Sequence, residues 1–487
     1  MKFRDYFIII ALVGVASLVA GCTQVPQAGP VTPSPVASAQ PTLTATPLLT
    51  PGSNLTPATV RTTKDLIAYV RGAVNYARDN GRDKAIAAFN DPKGQFVTGN
   101  LYVFAESFNG TALAEPFDPD TVGTSILNIT DPFGVPIVRN LIETAGYGTG
   151  YVSYEYSNPL DNNTVESKLS VVSNVDGTYY VGAGLYSSQG DIYPSVKMNL
   201  SGTSHNEKEL VAYVRDAVAY ARANGKEKAI AVFNSPDSPY NQGELVLMAF
   251  DYNGTNLVSP PYSPEVSANH INLINYHDPD GVATIRGMRD LSLNGGGFLY
   301  TVAKVTVNGT DVYVPKIDYA EPVDGTWWLF SGITVPGYKE ALQGNLTGIT
   351  VRNHTKKEMY DLVSRVVSFA RANGKEKTLA AINDPHGPFV DGDLFVWAES
   401  TNGTLLADPF FKSAIGQDLY NYTDEYGLKT TQAGIMAMQN GTGFSHALFP
   451  DTALNGSSEV PKLIYQRPVD DTWFIGSGVY GVEVTTR

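Results

Sequence analysis

Apolar residues between positions 62 and 90 recur at helical spacing. Leu66, Ile67, Val70, Val74 and Ala77 fall on one stripe, and that period predicts an amphipathic helix. Thr62-x-x-Asp65 is a capping-box start. Asn80-Gly81 can stop the helix, because glycine takes the left-handed conformation at little cost. A shorter helical run from Lys84 to Phe89 ends at Asn90-Asp91-Pro92. The period then changes to two. Leu101 to Phe108 and Thr111 to Ala114 read as strands joined by Asn109-Gly110, a strong hairpin signal. Gly150 to Tyr154, Lys168 to Val172 and Tyr179 to Gly184 are strand-like and rich in aromatics. The pattern is α+β: a long helix, then mainly an antiparallel sheet.

The whole pattern occurs three times. Tyr76-Ala-Arg-Asp-Asn-Gly returns as Tyr220-Ala-Arg-Ala-Asn-Gly and Phe369-Ala-Arg-Ala-Asn-Gly. Leu101-Tyr-Val-Phe is matched by Leu245-Val-Leu-Met and Leu394-Phe-Val-Trp. Asn-Gly-Thr follows at Asn109, Asn253 and Asn402, and the copies close on Val175-Asp-Gly-Thr-Tyr, Val323-Asp-Gly-Thr-Trp and Val469-Asp-Asp-Thr-Trp. A period of about 145 residues is the size of a domain, not of a solenoid repeat. We read three tandem units over residues 62–190, 204–336 and 352–487, with capped starts at Thr62, Asn206 and Thr355. Each unit has its own helix and closing strand, so independent folding is expected.

The segment before the first unit has a different character. Lys2 and Arg4 precede an apolar run over 7–20 that ends in Leu18-Val19-Ala20-Gly21-Cys22. A basic start, a short apolar core and small residues describe an export signal, and about 14 apolar residues fall short of a membrane span. The ending resembles a lipobox, which implies a signal peptide over 1–22 and a lipid on Cys22, the only cysteine. Residues 23–61 are Pro, Thr, Ser and Ala with almost no charge. Such a composition does not fold and reads as a stalk reaching on the order of 100 Å. The expected location is extracytoplasmic, held at the outer face of the membrane by the lipidated N-terminus.

Taken together, the Asn-Gly-Lys-Glu-Lys helix end, Phe-Asn-Asp-Pro-x-Gly, the Leu-Tyr-Val-Phe strand, the Asn-Gly-Thr hairpin and the closing Val-Asp-Gly-Thr-Trp resemble the single-Cache family of extracytoplasmic sensor domains. The resemblance implies a long N-terminal helix on a PAS-like sheet of five or six strands. It also implies a small organic ligand on the opposite face. That family sits in chemoreceptors and sensor kinases. No transmembrane helix or signalling module is read after these units, so the expectation is ligand binding without an output module. A separate membrane receptor would then read the occupancy. The rival expectation is a structural or adhesive surface protein that reuses the fold.

Chemistry narrows this further. There is no Gly-x-Ser-x-Gly elbow, phosphate-binding loop or His-Glu-x-x-His helix, and six histidines lack ligand spacing. No enzyme activity, cofactor or metal is expected. A net charge of −14 argues against nucleic acid. Strand alternation puts Tyr102, Phe104 and Glu106 on one face, matched by Val246, Met248 and Phe250 and by Phe395, Trp397 and Glu399. Aromatic walls with a few polar groups suit a pocket, and equally suit core packing. Arg139 and Arg286 follow Asp-Pro-x-Gly-Val, with Gln432 in the third unit; an arginine fork holds carboxylates, and a solvated helix arginine is the plain alternative. Lys168, Lys316 and Lys462 recur at one strand position, as pocket groups or structural ion pairs. The candidate ligand is a carboxylate or amine. Units one and two are expected to take carboxylates through the arginine, and unit three a neutral or cationic ligand. Asn-x-Ser/Thr triplets are frequent, including Asn109, Asn128, Asn199, Asn253, Asn308, Asn345, Asn402, Asn421 and Asn440. They mark glycan sites in a glycosylating host or simple hairpin chemistry. If Cys22 carries the anchor, Cys22→Ser abolishes incorporation of labelled lipid and leaves the folded region unchanged.

Overall fold

The computed structural model describes residues 60–190, 192–193, 204–261, 263–451 and 459–486. The export signal, Cys22 and nearly all of the stalk lie outside the described residues. The last two stalk positions do not: Val60 is fully buried in the first core, so the folded part starts before Thr62.

Each unit opens with a long helix, at Thr63–Asn80, Glu207–Asn224 and Lys356–Asn373. All three have a complete capping box, on Thr62, Asn206 and Thr355. Each long helix stops at a glycine, Gly81, Gly225 or Gly374, at φ near 83°. There ψ is extended rather than left-handed (158° at Gly81), a region open essentially to glycine alone. The chain thereby turns straight into a second helix, Arg82–Phe89, Lys226–Phe233 or Lys375–Ile382.

The sheets share one order. In unit one it runs Val97–Thr98, Leu101–Ser107, Tyr179–Tyr186, Thr164–Asn174, Thr149–Asn158, all antiparallel. Units two and three repeat this order for their four principal strands. Leu101, Val103 and Ala105 pack on the long helix with Leu66, Val70 and Val74, as the alternation predicts. The other face carries Tyr102, Phe104, Tyr154 and Tyr180, covered by a helix at Ile137–Gly146. Its counterparts are Thr284–Leu293 and Thr430–Gln439. The sequence reading invoked a helix at Arg139 only as an alternative and gave it no range, although Ile137, Leu141 and Ala145 repeat every four residues and are buried.

The units are not separate bodies. Strand Asn272–Asn275 of unit two joins the sheet of unit one in parallel, beside Thr149–Asn158. Ile271, Leu273 and Tyr276 pack on the unit-one core. Leu428, Ala433, Ala447 and Ile464 of unit three belong to the unit-two core, while Val282 belongs to that of unit three. The last strand, Val484–Thr486, pairs with Thr310–Pro322 of unit two. Shared cores couple each unit to its neighbour, a packing that the expectation of independent folding did not include. Among the described residues, no helix is long and apolar enough to cross a membrane.

One buried ion pair pins units two and three. Arg352 donates to Asp280 through both Nη atoms and also meets Glu483 at 3.4 Å. Burial alone would raise the Asp280 carboxyl, but the Arg352 guanidinium outweighs it and holds the group below the ordinary carboxylate range. Arg352→Ala leaves that carboxylate buried without its guanidinium, with only His446 (Nε2 at 3.3 Å) and Lys356 near it. The expected loss is about 3–5 kcal/mol in denaturant unfolding at neutral pH. Because the folded pKa is depressed, the pair's contribution is present above about pH 4 and disappears as the pH falls below it; the difference between wild type and variant should shrink accordingly.

Candidate functional site: a lysine on the far face of each sheet

Lys168, Lys316 and Lys462 occupy the same register. Lys168 lies between Tyr154 and Tyr186 on the flanking strands, Lys316 between Thr301 and Thr334, and Lys462 between Ala447 and Tyr480. All three point to the face opposite the long helix. Their surroundings differ sharply.

In unit one the ammonium is caged. Lys168 is 2% exposed and donates to the hydroxyls of Tyr102 (3.1 Å) and Tyr186 (3.3 Å). It also sits over the Tyr102, Tyr156 and Tyr186 rings at 4.6 to 5.0 Å. Burial lowers its pKa, and the half-buried Glu115 partly offsets this. Unit three repeats the arrangement with other rings. Lys462 donates to the Tyr480 hydroxyl at 2.9 Å and lies within 5.9 Å of the Phe395, Trp397, Phe449 and Tyr480 ring centres. Burial brings it down to about 8, with Asp408 offsetting part of the effect.

Unit two has lost the cage. Val246 stands where Tyr102 and Phe395 stand, Ala303 where Tyr156 and Phe449 stand, and Thr334 where Tyr186 and Tyr480 stand. A cavity of about 270 Å³ opens there. It is walled by Val246, Met248, Phe250 and Phe330 of the sheet, by Ile285 and Met288 of the back helix, and by Thr301, Ala303, Lys316 and Asp318. A cavity of roughly 150 Å³ accepts a benzene ring, so this space suits a larger molecule. Lys316 is half-buried and makes no hydrogen bond or ion pair among the described residues. Asp318 accepts from the Thr301 hydroxyl at 2.6 Å. Burial raises Asp318 to about 6, against the opposing pull of Lys316 and Thr301. Gly332 makes its position feasible, since a Cβ there would lie 1.7 Å from Asp318 Oδ1.

A second exchange shapes the wall. Phe104 faces Gly182 and Trp397 faces Gly476, and a Cβ on either glycine would strike the ring at 2.3 or 2.5 Å. In unit two Met248 faces Phe330, which moves the bulk to the neighbouring strand. Phe330 stacks with Phe250 and Phe250 with Trp328, at 5.9 and 5.3 Å.

The remaining candidates divide as follows. Glu106 is buried and accepts from the Tyr180 hydroxyl; Glu399 is buried with Oε1 unpartnered. Burial raises them to about 8 and about 7. Arg139 is not a pocket residue. It is exposed and donates to Asn128 Oδ1 at 2.8 Å, because its helix turns that position to solvent. Arg286 is half-buried but engaged between units, with Glu143 and with Asn275 Oδ1 at 2.8 Å. The expected ligand-holding role of both arginines is therefore corrected, and so is the division of ligand charge among the units built on it. The sequence reading missed Asp318, Thr301 and Phe330. A signal for Phe330 was available in the three-way comparison, where Gly182 and Gly476 stand at its position in units one and three; Asp318 and Thr301, with Ser170 and Ile464 and with Tyr154 and Ala447 as counterparts, carried none.

The sequence profile of the single Cache domain 2 family matches residues 59–199 and 357–487. The chain belongs to that family. Cache domains are extracytoplasmic sensors whose members bind small ligands. Among solved structures, a methyl-accepting chemotaxis protein from Vibrio parahaemolyticus is 21% identical, covering 26% of this chain and 87% of its own at a TM-score of 0.23. A Cache chemosensory domain described for carboxylic acid recognition is 18% identical, covering 26% and 92% at 0.23. The ligand-binding domain of the Pseudomonas fluorescens chemoreceptor CtaA, solved with L-serine, is 11% identical, covering 56% and 88% at 0.15. No curated protein matches the chain.

The Cache carboxyls supply a pH test. Glu106 ionises near 4.5 when unfolded and at about 8 when folded. The folded state thus holds the extra proton, and stability falls as the pH rises between those values, by up to about 1.4 kcal/mol per unit. Glu106→Gln keeps an acceptor for Tyr180 and should remove that slope in unfolding measured from pH 5 to 9.

Proposed function

We propose that this chain is an exported, lipid-anchored binding protein for a small organic carboxylate, held in the cleft of the middle unit. The observation that carries the reading is the Lys316 ammonium, without a hydrogen bond or close ion pair and with Asp318 as its charged neighbour, in a cavity of about 270 Å³, at a position that is caged in both sister units. A ligand carboxylate pairs with Lys316. A hydroxyl or amine on the same ligand donates to Asp318. Its apolar body lies against Met248, Phe250, Phe330 and Met288. Units one and three keep their aromatic cages closed and act as scaffold, so the structural role weighed as a rival falls to them. Ligand binding, not catalysis, is the activity, and Cys22 supplies the anchor. A separate membrane receptor reads the occupied state.

The test is a thermal-shift and calorimetric screen of the purified chain against carboxylates and amines. A ligand at 100 times its Kd stabilises by about 2.7 kcal/mol. Lys316→Ala should weaken a carboxylate by 10-fold or more, and Thr334→Tyr, which rebuilds a cage wall, should abolish binding. Lys168→Ala and Lys462→Ala should leave affinity unchanged. Binding that survives Thr334→Tyr would place the ligand elsewhere.

A further inference from the structure

The chain holds 32 asparagines and 72 serines and threonines in 487 residues. Chance placement gives about five Asn-x-Ser/Thr triplets; the chain has 13, and 11 of them end in threonine. Ten lie among the described residues. Nine of those asparagines are exposed and Asn440 is half-buried, whereas only six of the 19 other asparagines are exposed. Twelve of those 19 also commit Nδ2 to a hydrogen bond. Among the ten, only Asn308 and Asn353 do so.

Hairpin chemistry explains Asn109, Asn253 and Asn402. It does not explain a second position, Asn128 in unit one, Asn275 in unit two and Asn421 in unit three. In each unit one side chain of the back helix holds the asparagine oxygen: Arg139 at 2.8 Å, Arg286 at 2.8 Å and Gln432 at 3.1 Å. Asn128 and Asn421 are exposed, keep Nδ2 free, and stand in Asn-Ile-Thr130 and Asn-Tyr-Thr423. Asn275 is 2% exposed, and its Nδ2 donates to Asn140, Glu143 and Thr144 of unit one. There the triplet is broken, with His277 in the threonine position. Where packing buries the asparagine, the modification signal is gone; where solvent meets it, the signal is present.

We infer that the exposed Asn-x-Thr asparagines, Asn128 and Asn421 foremost, carry N-linked glycans. The transfer joins Asn Nδ2 to C1 of a glycan borne on a lipid diphosphate. The N–C1 bond forms, the C1–O bond to phosphate breaks, one amide proton is lost and the lipid diphosphate leaves, with no redox change. Arg139 and Gln432 are positioning residues that hold Oδ1 and leave Nδ2 toward solvent. The inference rests on export of the chain and not on ligand binding, so the ligand screen and the glycan measurement fail separately.

Glycopeptide mass spectrometry on the full chain isolated from its native membrane is the test. Glycan mass is expected on the Asn128 and Asn421 peptides and not on the Asn275 peptide. Thr130→Val should remove the glycan from Asn128 while Asn421 keeps its own, and Thr130→Ser should retain it. Bare Asn128 and Asn421 in the wild-type chain, or a glycan that survives Thr130→Val, overturns the inference.

Discussion

A lysine ammonium held on the far face of a β-sheet, under a helix, has to be solvated by something other than bulk water. Isolated burial of such a charge is costly, so the protein must supply hydroxyls, ring faces or an opposing charge. Much of the architecture answers that requirement. In units one and three, the tyrosine on one flanking strand, the ring on the opening strand and the ring two residues along the outer strand converge on Lys168 and Lys462. The glycines opposite follow from the same demand. A Cβ on Gly184 or Gly478 would lie 2.6 or 2.4 Å from the lysine Cε, so only a bare backbone lets the stem pass. Unit two keeps the lysine and gives up the rings, and the volume they filled becomes a cavity. Water or a ligand must then do what the tyrosines do elsewhere.

Much of this was legible in the sequence. The capped long helix, its glycine stop, the alternating strands and the threefold repetition are local signals, and each element appears where its signal stands. The recurrence of one lysine marked Lys168, Lys316 and Lys462 alike, and only the packing around them separates Lys316 from its sisters. The arginines misled because the spacing from Asp-Pro-x-Gly fixes where Arg139 sits along the chain but not which way its helix faces. That direction is set by Ile137, Val138 and Leu141, which take the buried side and leave residue 139 outside. The contacts between units were not legible for a related reason. Ile271 and Leu428 look like internal core residues of their own repeats, and only the assembled chain shows them packed on a neighbour.

The Asp-x-x-Gly segment shows how one local device serves several long-range contacts. Asp131, Asp278 and Asp424 each accept two backbone N–H groups of their own turn, which fixes the loop shape. The residue two positions later is then free to vary. Phe133 packs edge-on against Tyr360 and Phe444 of unit three, Asp280 pairs with Arg352, and Tyr426 packs on the unit-two core. The same turn thus docks through an aromatic ring, an ion pair and a tyrosine, and the repeat is held together by what differs between its copies.

These contacts bear on how binding in unit two reaches the rest of the molecule. The cavity wall is not drawn from unit two alone. Tyr151 of unit one and Tyr193 of the link after it contribute to it, and so does Lys339 of the connecting helix Tyr338–Gln343, which lies 4.0 Å from Glu244. Glu244 in turn accepts the Thr334 backbone N–H at 2.7 Å, on the strand beside Lys316. A molecule in the cleft therefore touches unit one, unit two and the link to unit three at once. Binding that needs all three walls in place stabilises their docked arrangement by the same free energy that the docking lends to the ligand.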